Sequence, residues 1–72
     1  MELIDTPNPN AKKVEIDSKI INEISDVIHQ DLNEIKGITS IFIGPGFITI
    51  SKSENVEWDS IIKDINNIFD KL

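Results

Sequence analysis

The fold of this chain is decided by the stretch ITSIFIGPGFITIS, residues 38–51. β-Branched and aromatic residues dominate both of its halves, which is typical of strands. Between the halves stands Gly44-Pro45-Gly46, and proline followed by glycine suits the two central positions of a type II turn. The stretch therefore predicts two strands, residues 38–43 and 47–51, joined as a hairpin or by another tight strand connection.

After a polar link at residues 53–56, the apolar period changes to that of a helix. The apolar residues of 57–72 all fall on one helical side: Trp58, Ile61, Ile62, Ile65, Ile68, Phe69 and Leu72. This stripe predicts a half-buried helix with Trp58 and Phe69 in the core. Asn55 is its predicted N-cap.

An earlier helix is predicted over residues 18–36. Its apolar stripe is Ile21, Ile24, Ile28, Leu32 and Ile35. Asp17 or Ser18 is the expected N-cap, and Gly37 marks the end. Asp31 falls close to the stripe, so either it lies at the rim of one helix or the helix breaks near Gln30 and restarts. We favour one helix.

Two short strands are predicted before this helix, at residues 1–6 and 13–16. Between them lies Thr6-Pro7-Asn8-Pro9-Asn10. Proline disfavours the helical region for the residue before it and has no N–H to donate. The segment is therefore extended and is not an interior strand.

The order β-β-α-β-β-α predicts a single small α/β (α+β) domain over residues 1–72. Two amphipathic helices with one apolar stripe each require one apolar sheet face to cover. We expect a four-stranded antiparallel or mixed sheet with both helices packed on one face. A short natural protein and a domain cut from a longer one both fit this pattern.

Composition excludes several classes of function. The net charge is −6 and the seven lysines are scattered, so a nucleic-acid partner is not expected. With no cysteine and one histidine, thiolate and multi-histidine metal sites are excluded. No apolar run approaches the ~20 residues of a membrane span, and MELID at the start has no features of a secretory signal. We expect a cytoplasmic protein without cofactor, metal or membrane contact.

The chain has no recognisable catalytic motif. It contains neither a nucleophile–base spacing nor a glycine-rich phosphate loop, and Gly44-Pro45-Gly46 is interpreted as a turn. His29 points away from the apolar stripe and is interpreted as a solvated surface residue. One of Phe42 and Phe47 is expected to face outward, where an exposed aromatic side chain would suit partner binding.

The proline–asparagine segment has two interpretations. It is a stiff connection between strands, with asparagine side chains bonding local backbone groups. Alternatively, it is a preorganised strip that presents Asn8 and Asn10 to another protein at little entropic cost.

Three separated motifs resemble the N-terminal domain of the Nfu-type (NifU-like) iron–sulfur scaffold proteins. They are TPNPN with two lysines behind it, IKGI-x-SIF-x-GPGFITI and VEW. The family typically has TPNPN, then IEGV-x-SVFFGPDFITVTK, then a DW that opens the last helix. The resemblance covers nearly the whole chain and implies the same β-β-α-β-β-α fold.

The chain departs from the family in three places, one of which is the long family segment before the first helix, shortened here and rewritten as more helix. After Lys13 the family's Phe and Pro-Gly turn are absent, and VEID stands there instead. The family's second domain, with the Cys-x-x-Cys that binds the cluster, is also missing. Since iron–sulfur clusters require thiolates, the resemblance implies that this chain does not hold the cluster itself.

What the resemblance implies is a non-enzymatic accessory module that contacts a cysteine-bearing scaffold or client protein in cluster assembly or delivery. An alternative is a free-standing regulatory or structural module of the same fold. The candidate contact residues are Pro7, Asn8, Pro9, Asn10, Gly44, Pro45 and Phe47. A monomer is expected.

Overall fold

The structure, a computed structural model, describes residues 3–71 and confirms the predicted element order. Along the chain it contains β1 (Ile4–Asp5), β2 (Ala11–Glu15), α1 (Ser18–Asn33), β3 (Ile38–Gly44), β4 (Phe47–Lys52) and α2 (Trp58–Asp70). The strands form one antiparallel sheet in the order β1-β2-β4-β3. The α+β class is thus confirmed. The parts of the prediction that fall on Met1, Glu2 and Leu72 lie outside the described residues.

Both helices pack on the same face of the sheet. Along β4, Ile48 and Ile50 are fully buried, whereas Phe47 and Thr49 are partly exposed. This alternation is that of a strand with one covered face. A single buried cluster joins sheet and helices: Val14, Ile21, Ile28, Leu32, Ile48, Ile50, Ile61 and Ile65. Trp58 and Phe69 are partly buried and pack against it, as predicted.

The predicted hairpin is present, with Pro45 and Gly46 as its two-residue turn. Gly44 pairs with Phe47 across the turn. Gly46 has a φ of +80°, which is the value that the second central position of a type II turn requires. Glycine adopts this conformation without steric cost, so the turn follows directly from the sequence.

Helix α1 begins as predicted and ends earlier. The Asp17 side chain accepts a hydrogen bond from the Lys19 backbone N–H at 2.8 Å. The helix ends at Asn33 rather than residue 36, because the chain tightens into i→i−3 bonds: Ile35 N–H donates to Leu32 O at 3.1 Å. Gly37, with φ +109°, then turns the chain into β3.

Asp31 lies inside a continuous helix and is partly exposed. The expectation of one helix, with this carboxylate at its rim, is therefore confirmed. The N-cap predicted for α2 is wrong: Glu57, not Asn55, occupies that position, and its side chain makes no capping hydrogen bond. Strand β2 begins at Ala11, two residues before the predicted start, because Ala11 pairs with Ser51 of β4.

Candidate functional site

The proline–asparagine segment, residues 6–10, is a compact loop between β1 and β2. We call it the Pro-Asn loop. The Thr6 hydroxyl lies 2.8 Å from Ala11 O and 2.9 Å from Asn8 O, and it accepts from the Asn8 N–H at 3.2 Å. The Asn8 Oδ1 accepts from the Asn10 N–H at 2.9 Å, which is an Asx turn. Within the loop, side-chain oxygens thus bond to backbone groups that would pair with a neighbouring strand in a sheet.

The loop is also fixed to distant parts of the chain. Asn10 is bonded twice to Lys52: its carbonyl accepts from the Lys52 N–H at 2.8 Å, and its Oδ1 accepts from Nζ at 2.9 Å. The Pro9 carbonyl accepts from the Trp58 indole N–H at 3.0 Å. Strand β4 and helix α2 therefore hold the loop from two sides.

Two lysines stand over the Trp58 ring. The Nζ atoms of Lys12 and Lys52 lie 5.6 and 5.7 Å from its centroid, within cation–π range. Lys52 is only 9% exposed, and its ammonium also donates to Ser53 O at 3.3 Å. Lys12 forms an ion pair with Asp5. The indole thus links the start of α2 to the sheet end that carries the loop.

A shallow cleft of about 320 Å³ opens at this place. It is lined by Asp5, Thr6, Pro7, Asn8, Pro9, Ala11, Lys12 and Trp58. Pro7, Asn8 and Pro9 are exposed, whereas Asn10 is half-buried. The structure therefore brings four of the predicted contact residues together. It presents the first three outward and uses the fourth to hold the loop.

The second group of predicted residues lies around the hairpin turn. Gly44 is buried, because the Phe47 ring lies across it. A Cβ added at Gly44 would be 2.5 Å from the Phe47 Cζ. The absence of a side chain at Gly44 thus leaves room for the Phe47 ring. Pro45, at the turn, is exposed.

Phe42, which was not among the predicted contact residues, is the outward-facing aromatic side chain. It is 62% exposed, and its ring centroid lies 6.0 Å from that of Phe47. The signal for it was in the sequence: Phe42 alternates with Ile41 and Ile43, which pack toward the core. It therefore had to lie on the uncovered face of the sheet.

The Pro-Asn loop and the hairpin turn lie at opposite ends of the sheet. Lys52 bonds to Asn10 at one end, and the Gly46 carbonyl accepts from the Ile16 N–H at the other. The five residues of β2 separate them, roughly 17 Å at the rise of an antiparallel strand. The two groups are separate surfaces rather than one site.

Residues 3–71 contain no group of three or more His, Cys, Asp or Glu side chains placed to hold a metal ion. His29 is exposed, and its Nδ1 lies 3.1 Å from the Asn33 Nδ2. None of the helices in these residues has the length and apolar character needed to cross a membrane.

Comparison with known proteins gives a consistent result. The family model described as "Scaffold protein Nfu/NifU N terminal" matches residues 1–72. The human mitochondrial NFU1 iron–sulfur cluster scaffold homologue is 34% identical over 85% of this chain, and the match spans 29% of the human protein. The chain thus corresponds to under a third of that relative.

Solved structures share the fold. A solution structure of a NifU-like protein from Saccharomyces cerevisiae is 27% identical, with a TM-score of 0.70 over 97% of this chain and 74% of that one. A crystal structure of a Staphylococcus aureus protein has a TM-score of 0.77 over 96% of this chain and 95% of that one. At 19% identity, the second match supports the fold alone.

Proposed function

This chain belongs to the Nfu/NifU N-terminal family, and from that premise we propose that it is a non-enzymatic accessory module of iron–sulfur cluster assembly or delivery. The family connects the chain with iron–sulfur cluster biology. Clusters of this kind are held by cysteine thiolates, and the sequence has none. The module therefore contacts a cysteine-bearing scaffold or client protein and leaves the cluster to that partner.

The observation that carries the proposal is the preorganised Pro-Asn loop. Three exposed residues, Pro7, Asn8 and Pro9, stand on a backbone that is fixed by hydrogen bonds from Trp58 and Lys52. A surface that is already ordered loses little conformational entropy when a partner binds. The loop therefore suits recognition by another protein.

Asn8 is the central contact in this proposal. Its Oδ1 is used within the loop, but its amide nitrogen has no hydrogen-bond acceptor among residues 3–71. That amide is an exposed donor held in a fixed position. Asn10 holds the Pro-Asn loop in place, and Gly44 leaves room for the Phe47 ring. Pro45 and Phe47 belong to a second surface, at the hairpin turn.

We take residues 1–72 as one domain that acts as a monomer in the cytoplasm and turns over no substrate. The human relative is a mitochondrial protein. A cytoplasmic location for this chain stays a prediction, and cell fractionation tests it.

The substitution Asn8→Asp tests the docking role of the loop. It keeps the oxygen that accepts from the Asn10 N–H and removes the exposed amide donor. In a crosslinking pull-down from source-cell extract, we expect wild type to enrich iron–sulfur assembly proteins or clients. Loss of one interface hydrogen bond should lower that enrichment about tenfold, which corresponds to about 1.4 kcal/mol.

Asn67→Asp is the matched control, because Asn67 is an exposed asparagine on α2 and the change in charge is the same. It should capture partners as wild type does. Unchanged Trp58 emission and thermal midpoint verify that both variants are folded. If Asn8→Asp captures as much as wild type, the loop is only a connection. If wild type captures no iron–sulfur proteins, the alternative role as a regulatory or structural module is favoured.

A further inference from the structure

Strand β3 is an edge of the sheet that lacks the usual protection. Among residues 3–71 it pairs only with β4 and is seven residues long, whereas the other edge, β1, has two residues. Natural proteins protect long edges with charges, prolines or bulges. The sequence of β3, ITSIFIG, contains no charge and no proline. Its one irregularity lies at the start, between Ile38 and Ser40.

The hairpin determines which backbone groups are available at this edge. In a two-residue hairpin the residues that flank the turn, here Gly44 and Phe47, exchange hydrogen bonds. In an antiparallel ladder, such hydrogen-bonded pairs alternate with pairs whose N–H and C=O groups point away from the partner strand. Counting from Gly44, the N–H and C=O groups of Phe42 therefore point to β4, and those of Ile41 and Ile43 point away from it. No other bond to these groups occurs in residues 3–71.

On each face of the sheet, a feature beside β3 can contact the side chains of an added strand. On the open face, Phe42 is 62% exposed beside Phe47. On the helix side, a cleft of about 330 Å³ lies between α1 and the end of β3, lined by Ser18, Ile21, Asn22, Ile43, Gly44 and Pro45. Successive side chains of an added strand would meet the aromatic ring and the cleft alternately.

We propose that β3 binds an extended, basic segment of a partner protein by strand addition. Outward-pointing donors and acceptors on Ile41 and Ile43 are complementary to another strand and not to a helix. A second copy is disfavoured as the occupant, because each copy carries a net charge of −6 and like charges repel. The same charge attracts a cationic segment and raises its association rate. This surface is separate from the Pro-Asn loop and requires no role in cluster assembly.

A synthetic peptide with lysine at both ends and alternating apolar residues, acetyl-KTVTFTVTK-amide, is the probe. Titrated into the ¹⁵N-labelled full chain, it should shift the Ile41 and Ile43 amide signals. At saturation, hydrogen exchange of these two amides should slow at least tenfold. A peptide with proline at its centre, KTVTPTVTK, should not bind. The acidic version ETVTFTVTE should bind at least tenfold more weakly at low salt.

Phe42→Lys should weaken binding of the lysine peptide at least tenfold, because it removes the apolar contact and places a charge on the edge strand. Val27→Lys is the matched control: Val27 is 53% exposed on α1, and the charge change is identical. It should bind as wild type does. Equal weakening by both variants, or peptide-induced shifts confined to the Pro-Asn loop, would overturn the proposal. Dimerisation of the free chain through β3 in sedimentation would also overturn it, by assigning the edge to a second copy.

Discussion

Replacing Leu32 with alanine should lower the free energy of unfolding by about 3–5 kcal/mol, the range for Leu→Ala at a fully buried site. Leu32 is 0% exposed and packs in the core cluster that joins both helices to the sheet. Truncation removes buried methyl groups and leaves a cavity. A domain of 72 residues has a total stability of roughly 4–11 kcal/mol. The variant should therefore be partly unfolded well below the wild-type midpoint in urea.

Val27→Ala on the same helix is the control for this prediction. Val27 is 53% exposed, so we expect a change within about 0.5 kcal/mol, as for a surface substitution. Chemical denaturation monitored by circular dichroism measures both variants. Equal losses for Val27→Ala and Leu32→Ala would mean that α1 packs through a different face from the one described.

Trp58→Ala should be the next most destabilising change, at about 2–4 kcal/mol. The range is below that of a fully buried tryptophan, because Trp58 is only half-buried. The variant loses the ring packing, the hydrogen bond to the Pro9 carbonyl and the cation–π contacts with Lys12 and Lys52. It should also loosen the Pro-Asn loop, so amide hydrogen exchange at Asn10 should accelerate.

Trp58→Phe separates the ring from its N–H. Phenylalanine keeps most of the apolar contact and removes the donor to Pro9, so we expect a loss of about 1 kcal/mol, typical of one hydrogen bond. Denaturation followed by circular dichroism is suitable, since Trp58 is the only tryptophan. If Asn10 exchanges at the wild-type rate in Trp58→Ala, the indole does not anchor the loop.

Local patterns predicted the elements that depend on local chemistry. The ring of Pro45 fixes its φ, and Gly46 can adopt the positive φ that the turn requires. These two residues therefore specify the hairpin. The apolar stripe of α2 has the period of its helix throughout, from Trp58 to Phe69. Order and packing of the elements then follow, because both stripes require the same sheet face.

The sequence-based predictions failed where the structure of a segment is set by residues outside that segment. The apolar pattern of α1 continues to Ile35, and Ile35 does pack against the core, but from the tight turn that follows Asn33. The apolar period does not show whether Ile35 lies in the α-helix or in the turn that follows it. One i→i−3 turn changes the side-chain direction too little to break the apolar pattern. Helix ends are set by the next element, here by Gly37 and β3.

The anchoring of the Pro-Asn loop was equally inaccessible to local reasoning. Its partners, Lys52 and Trp58, are 42 and 49 residues from Asn10 and Pro9. The sequence indicated a stiff loop with asparagines that bond locally, and the Asn8 side chain does so. The buried ammonium of Lys52 and its contact with Trp58 depend on tertiary structure and on no motif.

Measurement of ¹⁵N relaxation on the free chain tests whether the Pro-Asn loop is a preorganised surface. Asn8 and Asn10 supply the backbone amide probes within the Pro7–Asn10 stretch, since proline has no N–H. We predict order parameters near 0.85 for both, the value of rigid backbone. Values below about 0.6 would show a flexible loop on the picosecond–nanosecond timescale. That result would rule out the loop as a preorganised docking surface, because no fixed surface would then exist for a partner to recognise.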